Sequence, residues 1–155
     1  MVLSLHHITP GDKRFWSHAA LIFTIMYAVF VSANYVVQLA TVIPQTMKGS
    51  LDEVRILQQT PHSLFWNFDA LGYICMGLAT LFAIPVFNKT GIEKWVRISF
   101  AANAIATPLI GFVYFYPDFS AELLLLGFTW GLTAPFSMLM LSLMFRRNVK
   151  ARKYV

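Results

Sequence analysis

The chain places one carboxylate well inside an apolar stretch: Asp69, within the run LFWNFDALGYICMGLATLF. An ionised carboxylate at membrane depth costs about 2.5–3.5 kcal/mol or more unless it is partnered. No Lys or Arg stands at the same depth, so Asp69 must give up its charge or find hydrogen-bond donors. Asn34, Gln38, Tyr73 and Trp130 are the donors that helical spacing brings to its level. Three roles follow for Asp69: a structural hydrogen-bond hub, a proton or cation site, or the polar anchor of a ligand pocket.

Other chemistries lack their parts. Cys75 is the single cysteine and lies in an apolar stretch, which excludes an intramolecular disulfide and a cysteine-based zinc site. His18 and His62 belong to opposite ends of their helices, about a bilayer apart, and cannot share one haem. His6, His7 and His18 share one end, but only Asp12 is near in sequence, and a flexible tail is the simpler expectation. His62 and Asp69 share a helix face at about 10 Å, too far for direct proton transfer. With no nucleophile matched to a base and no phosphate loop, no catalytic residue, resident metal or cofactor is expected.

Helices must carry these residues. Of 155 residues, 57% are apolar and only 12% are charged, against roughly a quarter charged in an average soluble domain. The mean hydropathy is +0.61. The expected fold is all-α: one integral membrane domain over residues 1–155, an antiparallel up-down bundle of four transmembrane helices. The spans run from about Phe15 to Ile43, Leu64 to Phe87, Trp95 to Tyr116 and Ala121 to Phe145. Asp12, Thr60-Pro61 and Asp118 or Ser120 are the expected caps of the first, second and fourth, and Pro44 should close the first. The N-terminal segment has no signal-peptide core, so the first span should act as an uncleaved insertion signal.

Ten of the twelve Lys and Arg fall on one side if the helices alternate; only Lys48 and Arg55 fall on the other. Positive residues resist translocation, so both termini are expected in the cytoplasm, and the host should be a plasma or inner membrane. The net charge of +5 is therefore a topology signal and not a nucleic-acid footprint. Asn88-Lys89-Thr90, a formal glycosylation sequon, falls on the cytoplasmic side. The basic C-terminal segment FRRNVKARKYV reads as a stop-transfer anchor on anionic lipid, with a partner dock as the alternative.

Polar residues inside the spans should turn away from lipid. They form one stripe per helix: Tyr27, Asn34, Gln38 and Thr41; Asp69, Tyr73, Met76 and Thr80; Ser99, Asn103, Thr107, Gly111 and Tyr114; Thr129, Thr133 and Ser137. Gly127-Phe128-Thr129-Trp130-Gly131, Gly72 and Gly77 offer notches for close helix approach. Pro108 and Pro135 should kink their helices, with Thr107 and Thr133 available to the freed carbonyls. Phe15, Trp16 and Trp95 read as one interfacial belt, and Phe65, Trp66, Tyr114 and Tyr116 as the other. Trp130, deeper, needs an acceptor, for which Asp69 or a carbonyl freed by Pro135 is available. In the connection from Pro44 to Ser63, Ser50-Leu51-Asp52-Glu53 has capping-box form, giving a short helix to about Gln59 that serves as a connector or a lid.

The convergence of stripes points to a non-enzymatic protein holding a lipid-like or amphipathic small molecule in an outward-facing pocket of Asn34, Gln38, Asp69, Tyr73, Asn103, Tyr114 and Trp130. An accessory subunit of a larger membrane complex and a proton-coupled transporter using Asp69 are the alternatives. Expected partners are the bilayer, a hydrophobic small molecule, and a second copy or a larger complex.

Overall fold

The structure, a computed structural model, describes residues 1–152, with side chains through Asn148. Lys150, Arg152 and Lys153 of the basic C-terminal segment lie outside the described side chains. Among the described residues the chain is helical without strands: α1 (Val2–Ile8), α2 (Arg14–Val37), α3 (Ile43–Met47), α4 (Leu51–Val54), α5 (Leu64–Ala83), α6 (Gly91–Phe115) and α7 (Ala121–Arg152). Four helical segments are long and apolar enough to cross a membrane: Gly11–Met47, Leu64–Val86, Gly91–Phe115 and Ala121–Asn148.

Pro44 does not end the first segment. The turn Gln38–Val42 is π-helical and leads directly into α3, with Pro44 in the first turn of the new register. A π turn shifts the hydrogen-bond ladder by one residue, and Pro44 then sits where a missing N–H costs least. Asp12 caps nothing; it lies in a 3-10 turn, and Lys13 is the residue before α2. The cap of α5 is Ser63 and not Thr60, its hydroxyl accepting from Trp66 N at 3.1 Å. His62, in left-handed backbone with φ 64°, turns the chain into that cap. We expect Ser63→Ala to lower thermal stability by about 1 kcal/mol, the usual value of an N-cap, and Ser63→Asp to restore it. Ser120 caps α7, accepting from Leu123 N at 3.2 Å. Ser50 makes no side-chain cap, and the short connecting helix ends earlier than its sequence promises, in a 3-10 turn at Arg55–Leu57.

Helix α2 packs on α5, α5 on α6, and α6 on α7. At the end bearing the N-terminus, Ala20, Ala83, Phe87, Val96, Phe100 and Leu141 form the main apolar cluster, joined by Leu5 of α1. The N-terminal segment is therefore a docked helix and not a tail. It buries Leu5, and the His6 Nδ1 is hydrogen-bonded to Ser17 Oγ at 2.8 Å.

The inward stripes hold with one correction. Asn34, Asp69, Thr80, Ser99, Asn103 and Ser137 are buried. Thr129 faces outward and satisfies its hydroxyl within its own helix, on Leu126 O at 2.8 Å. The close helix approach is at Gly77, where a Cβ would fall on the Thr107 hydroxyl. Gly72 comes close to Val31, while a Cβ at Gly127 would meet nothing within 4 Å. The notches on α5 are thus used for packing and the one at Gly127 is open. Thr107 donates to Asn103 O at 3.0 Å, and Thr133 lies 3.5 Å from Trp130 O. In each case the partner lies one position before the carbonyl that the following proline frees.

Candidate functional site

Asp69 is a hub. At 4% exposure it accepts from Asn34 Nδ2 at 3.4 Å on Oδ1, and from Tyr114 Oη at 2.6 Å and Gln59 Nε2 at 3.0 Å on Oδ2. The donors come from α2, from α6 and from the connection before α5. All three are neutral, and no ion pair joins the carboxylate among the described residues. Three hydrogen bonds replace the water that burial removes, and the Tyr114 bond has the short length of a charge-assisted O–H···O contact.

Gln59 is the member that spacing alone did not reveal. Its amide lies between two helices: Oε1 accepts from Asn34 Nδ2 at 3.0 Å while Nε2 donates to Asp69. Gln38, expected beside Asp69, instead holds the connection. Its Nε2 donates to Leu57 O at 2.7 Å, and its Oε1 accepts from Gln59 N at 3.2 Å. Gln38 opens the π-helical turn that accommodates Pro44, so the same local distortion sits where the strap is fastened. The connection between α3 and α5 is therefore tied across the end of the helices by side-chain amides.

Trp66 belongs to the site. It is buried, its Nε1 donates to Tyr114 O at 3.0 Å, and its ring lies 4.5 Å from the Tyr114 ring. Tyr73 stands 5.8 Å from Tyr114 and 4.3 Å, edge to face, from Trp130. These rings border a cavity of about 120 Å³ whose other lining residues are Ile110, Val113, Leu124 and Gly127. Trp130 Nε1 is buried and has no acceptor: neither Asp69 nor a proline-freed carbonyl reaches it. An unmet indole N–H beside a cavity is an unusual cost in a native interior, of order 1–3 kcal/mol.

Asn103 stands apart from this group. Thr133 Oγ1 donates to Asn103 Oδ1 at 3.0 Å, Asn103 Nδ2 to Thr80 Oγ1 at 3.2 Å, and Thr80 Oγ1 to Gly77 O at 2.8 Å. The relay joins α7, α6 and α5 and leaves the Asn103 amide occupied at both ends. Asn34, Gln38, Asp69 and Tyr114 therefore make one connected polar group, Tyr73 and Trp130 its aromatic flank, and Asn103 a separate interhelical clamp.

Other recesses are present: one of about 190 Å³ is lined mainly by apolar groups of Tyr27, Met76, Ala79, Phe100 and Met138, with Thr24 and Thr80 beside them. A recess of about 290 Å³ at the opposite end contains Lys13 and Glu93, but Lys13 Nζ is engaged by Val86 O at 3.0 Å and Asn88 Oδ1 at 3.3 Å. Glu93 in turn accepts from Asn88 N at 2.7 Å. Among the described residues no group of three His, Cys, Asp or Glu is placed to hold a metal ion. His6 and His18 do meet, edge to face at 5.4 Å, but as a pair. Comparison with protein-family models, curated proteins and solved structures finds no match.

Proposed function

We propose that this protein is a multi-pass membrane protein of a plasma or inner membrane that binds one small lipid-like or amphipathic molecule, without catalysing a reaction. In this reading the four helices run up and down, both termini face the cytoplasm, and the strapped end faces outward. The ten-to-two division of Lys and Arg supports that orientation. The observation that carries the binding reading is the aromatic cavity bordered by Trp130, whose buried N–H has no acceptor. A ligand oxygen accepting from Trp130 would complete its hydrogen bonding, while Ile110 and Val113 supply apolar contact. Asp69 then acts on Tyr114, fixing the ring that forms the cavity wall, and Gln38 holds the cover.

The test compares binding of an oxygen-headed single-chain amphiphile, dodecanol, to the full chain in lipid nanodiscs. Trp130→Phe keeps the ring and removes the donor, and should weaken binding about tenfold, the value of one good hydrogen bond at a desolvated site. Gly127→Phe, filling the cavity from an open position, should abolish binding while helical content and melting temperature stay unchanged. Unaltered binding in both variants would refute the pocket.

A further inference from the structure

The four long helices form a row and not a closed ring. Helix α2 packs on α5, α5 on α6 and α6 on α7, so α2 and α7 are the ends of the row and share no packed face among the described residues. The cavity of about 190 Å³ draws on both ends: Thr24 and Tyr27 come from α2, Met138 from α7, and Met76, Ala79 and Phe100 from the two middle helices. Val2 adds to the lining from the N-terminal segment, which bridges the same two helices. His6 Nδ1 is bonded to Ser17 Oγ of α2 at 2.8 Å, and Ser142 Oγ of α7 donates to Met1 Sδ at 3.7 Å. The lining residues of the spanning segments lie within about 8 Å of their segments' midpoints along the helix. In a bilayer the cavity is therefore at hydrocarbon depth.

We infer that this cavity seats one acyl tail of a bilayer lipid, which enters between α2 and α7 and supplies the contact that those helices lack. The threonines of the lining make no call on a ligand. Thr24 Oγ1 donates to Ala20 O at 2.8 Å, and Thr80 Oγ1 donates to Gly77 O while accepting from Asn103 Nδ2 at 3.2 Å. Tyr27 is half-buried, and the buried polar atoms without a partner, Asn34 Oδ1 and Trp130 Nε1, belong to residues off the lining. An apolar cavity stays dry, and hydrocarbon is what stands at this depth. Pockets for drug-sized molecules run about 300–1,000 Å³, so the smaller volume here suits a single chain and not a ring system. Met76 and Met138 are flexible thioethers that adapt to a chain of varying conformation. The seat is separate from the aromatic cavity and does not depend on it. The two share no lining residue, and Phe100 and Ile110 stand about 15 Å apart along α6. Between them the Thr133 bond to Asn103 joins α7 to α6.

The experiment places the full chain in phosphatidylcholine nanodiscs that carry a fraction of phosphatidylcholine with a diazirine midway along one acyl tail. Light turns the diazirine into a carbene that inserts where the tail lies, and peptide mass spectrometry locates the labelled residues. Ile105 and Leu132, 74% and 64% exposed and near the middle of their segments, report the tails of the surrounding bilayer. Met76 and Met138, only half-buried cavity residues, should be labelled at least as strongly as these two. Thr24→Phe, which fills the cavity from α2, should lower labelling of both methionines severalfold and leave Ile105 and Leu132 unchanged. Gly127→Phe should alter none of the four. Wild-type labelling of the methionines severalfold below that of Ile105 and Leu132 overturns the seat and leaves the aromatic cavity standing. Unchanged labelling in Thr24→Phe also overturns it, and loss in Gly127→Phe overturns the separation of the two cavities. A single-chain diazirine alcohol that labels the methionines where the phospholipid does not would overturn the bilayer lipid as occupant. The wild-type comparison requires no substitution, so a variant that fails to fold does not shelter the inference.

Discussion

Asp69→Ala should cost about 3 kcal/mol of stability, among the largest effects of any single truncation in the chain. It leaves Gln59 Nε2 and Tyr114 Oη without their acceptor and Asn34 Nδ2 with one fewer. Interhelical hydrogen bonds in membranes average only about 0.6 kcal/mol, because the unfolded helices also find partners in lipid. Two features raise the value here: the acceptor is a carboxylate, which roughly doubles each bond, and all three donors meet on one residue. Asp69→Asn keeps one acceptor oxygen but turns an N–H₂ toward a donor, so about 1–2 kcal/mol is expected. Reversible unfolding of the purified chain in mixed micelles measures both. Exchange of backbone amides in residues 55–60 should rise in Asp69→Ala, because the strap loses its anchor. A loss below 0.5 kcal/mol, with the strap still protected, would refute the hub.

Gly77→Ala should be comparably damaging, for a reason of packing alone. The added Cβ would fall on the Thr107 hydroxyl, 2.5 Å from its Cγ2 and 2.6 Å from its Cβ. Rotation of Thr107 moves the first two atoms but not the third, so α5 and α6 must separate. Overpacking of this kind costs about 1–3 kcal/mol, and separation also strains the Asn103–Thr80 bond between the same helices. Thr107→Gly removes every clashing atom at a helix-propensity cost of roughly 0.4 kcal/mol, because threonine is itself a poor helix former. The double variant Gly77→Ala/Thr107→Gly should therefore be more stable than Gly77→Ala alone, with a coupling energy of about 2 kcal/mol in a double-mutant cycle. Gly127→Ala, facing open space, is the control and should be neutral or slightly stabilising. Additive effects at Gly77 and Thr107 would contradict the close approach.

The inward set Asn34, Asp69, Asn103 and Ser137 was legible from sequence because lipid satisfies no hydrogen bond, so each helix has one face where polar groups can go. Thr129 escaped that rule because a threonine hydroxyl can bond its own helix, which a carboxylate or amide at its depth cannot do as cheaply. Gln59 was hidden for a different reason. Its reach depends on where Gln38 holds the connection, and that depends on a π-helical turn no periodicity announces. The role of Trp66 in the site was not legible because an indole at a helix end matches an interfacial belt by depth alone. Its ring packing on Tyr114 and its bond to the Tyr114 carbonyl are tertiary facts. Glycine notches were visible as residue types, but whether Gly77 or Gly127 receives a neighbour depends on helix rotation, which the apolar surroundings leave unmarked.

The binding account meets its most direct test in native mass spectrometry of the chain gently extracted from its own membrane. It predicts one stoichiometric small molecule, distinct from bulk lipid, retained by wild type and lost in Gly127→Phe. Recovery of the chain with larger subunits and no small molecule would contradict it, and would make the polar stripes contact surfaces for a complex.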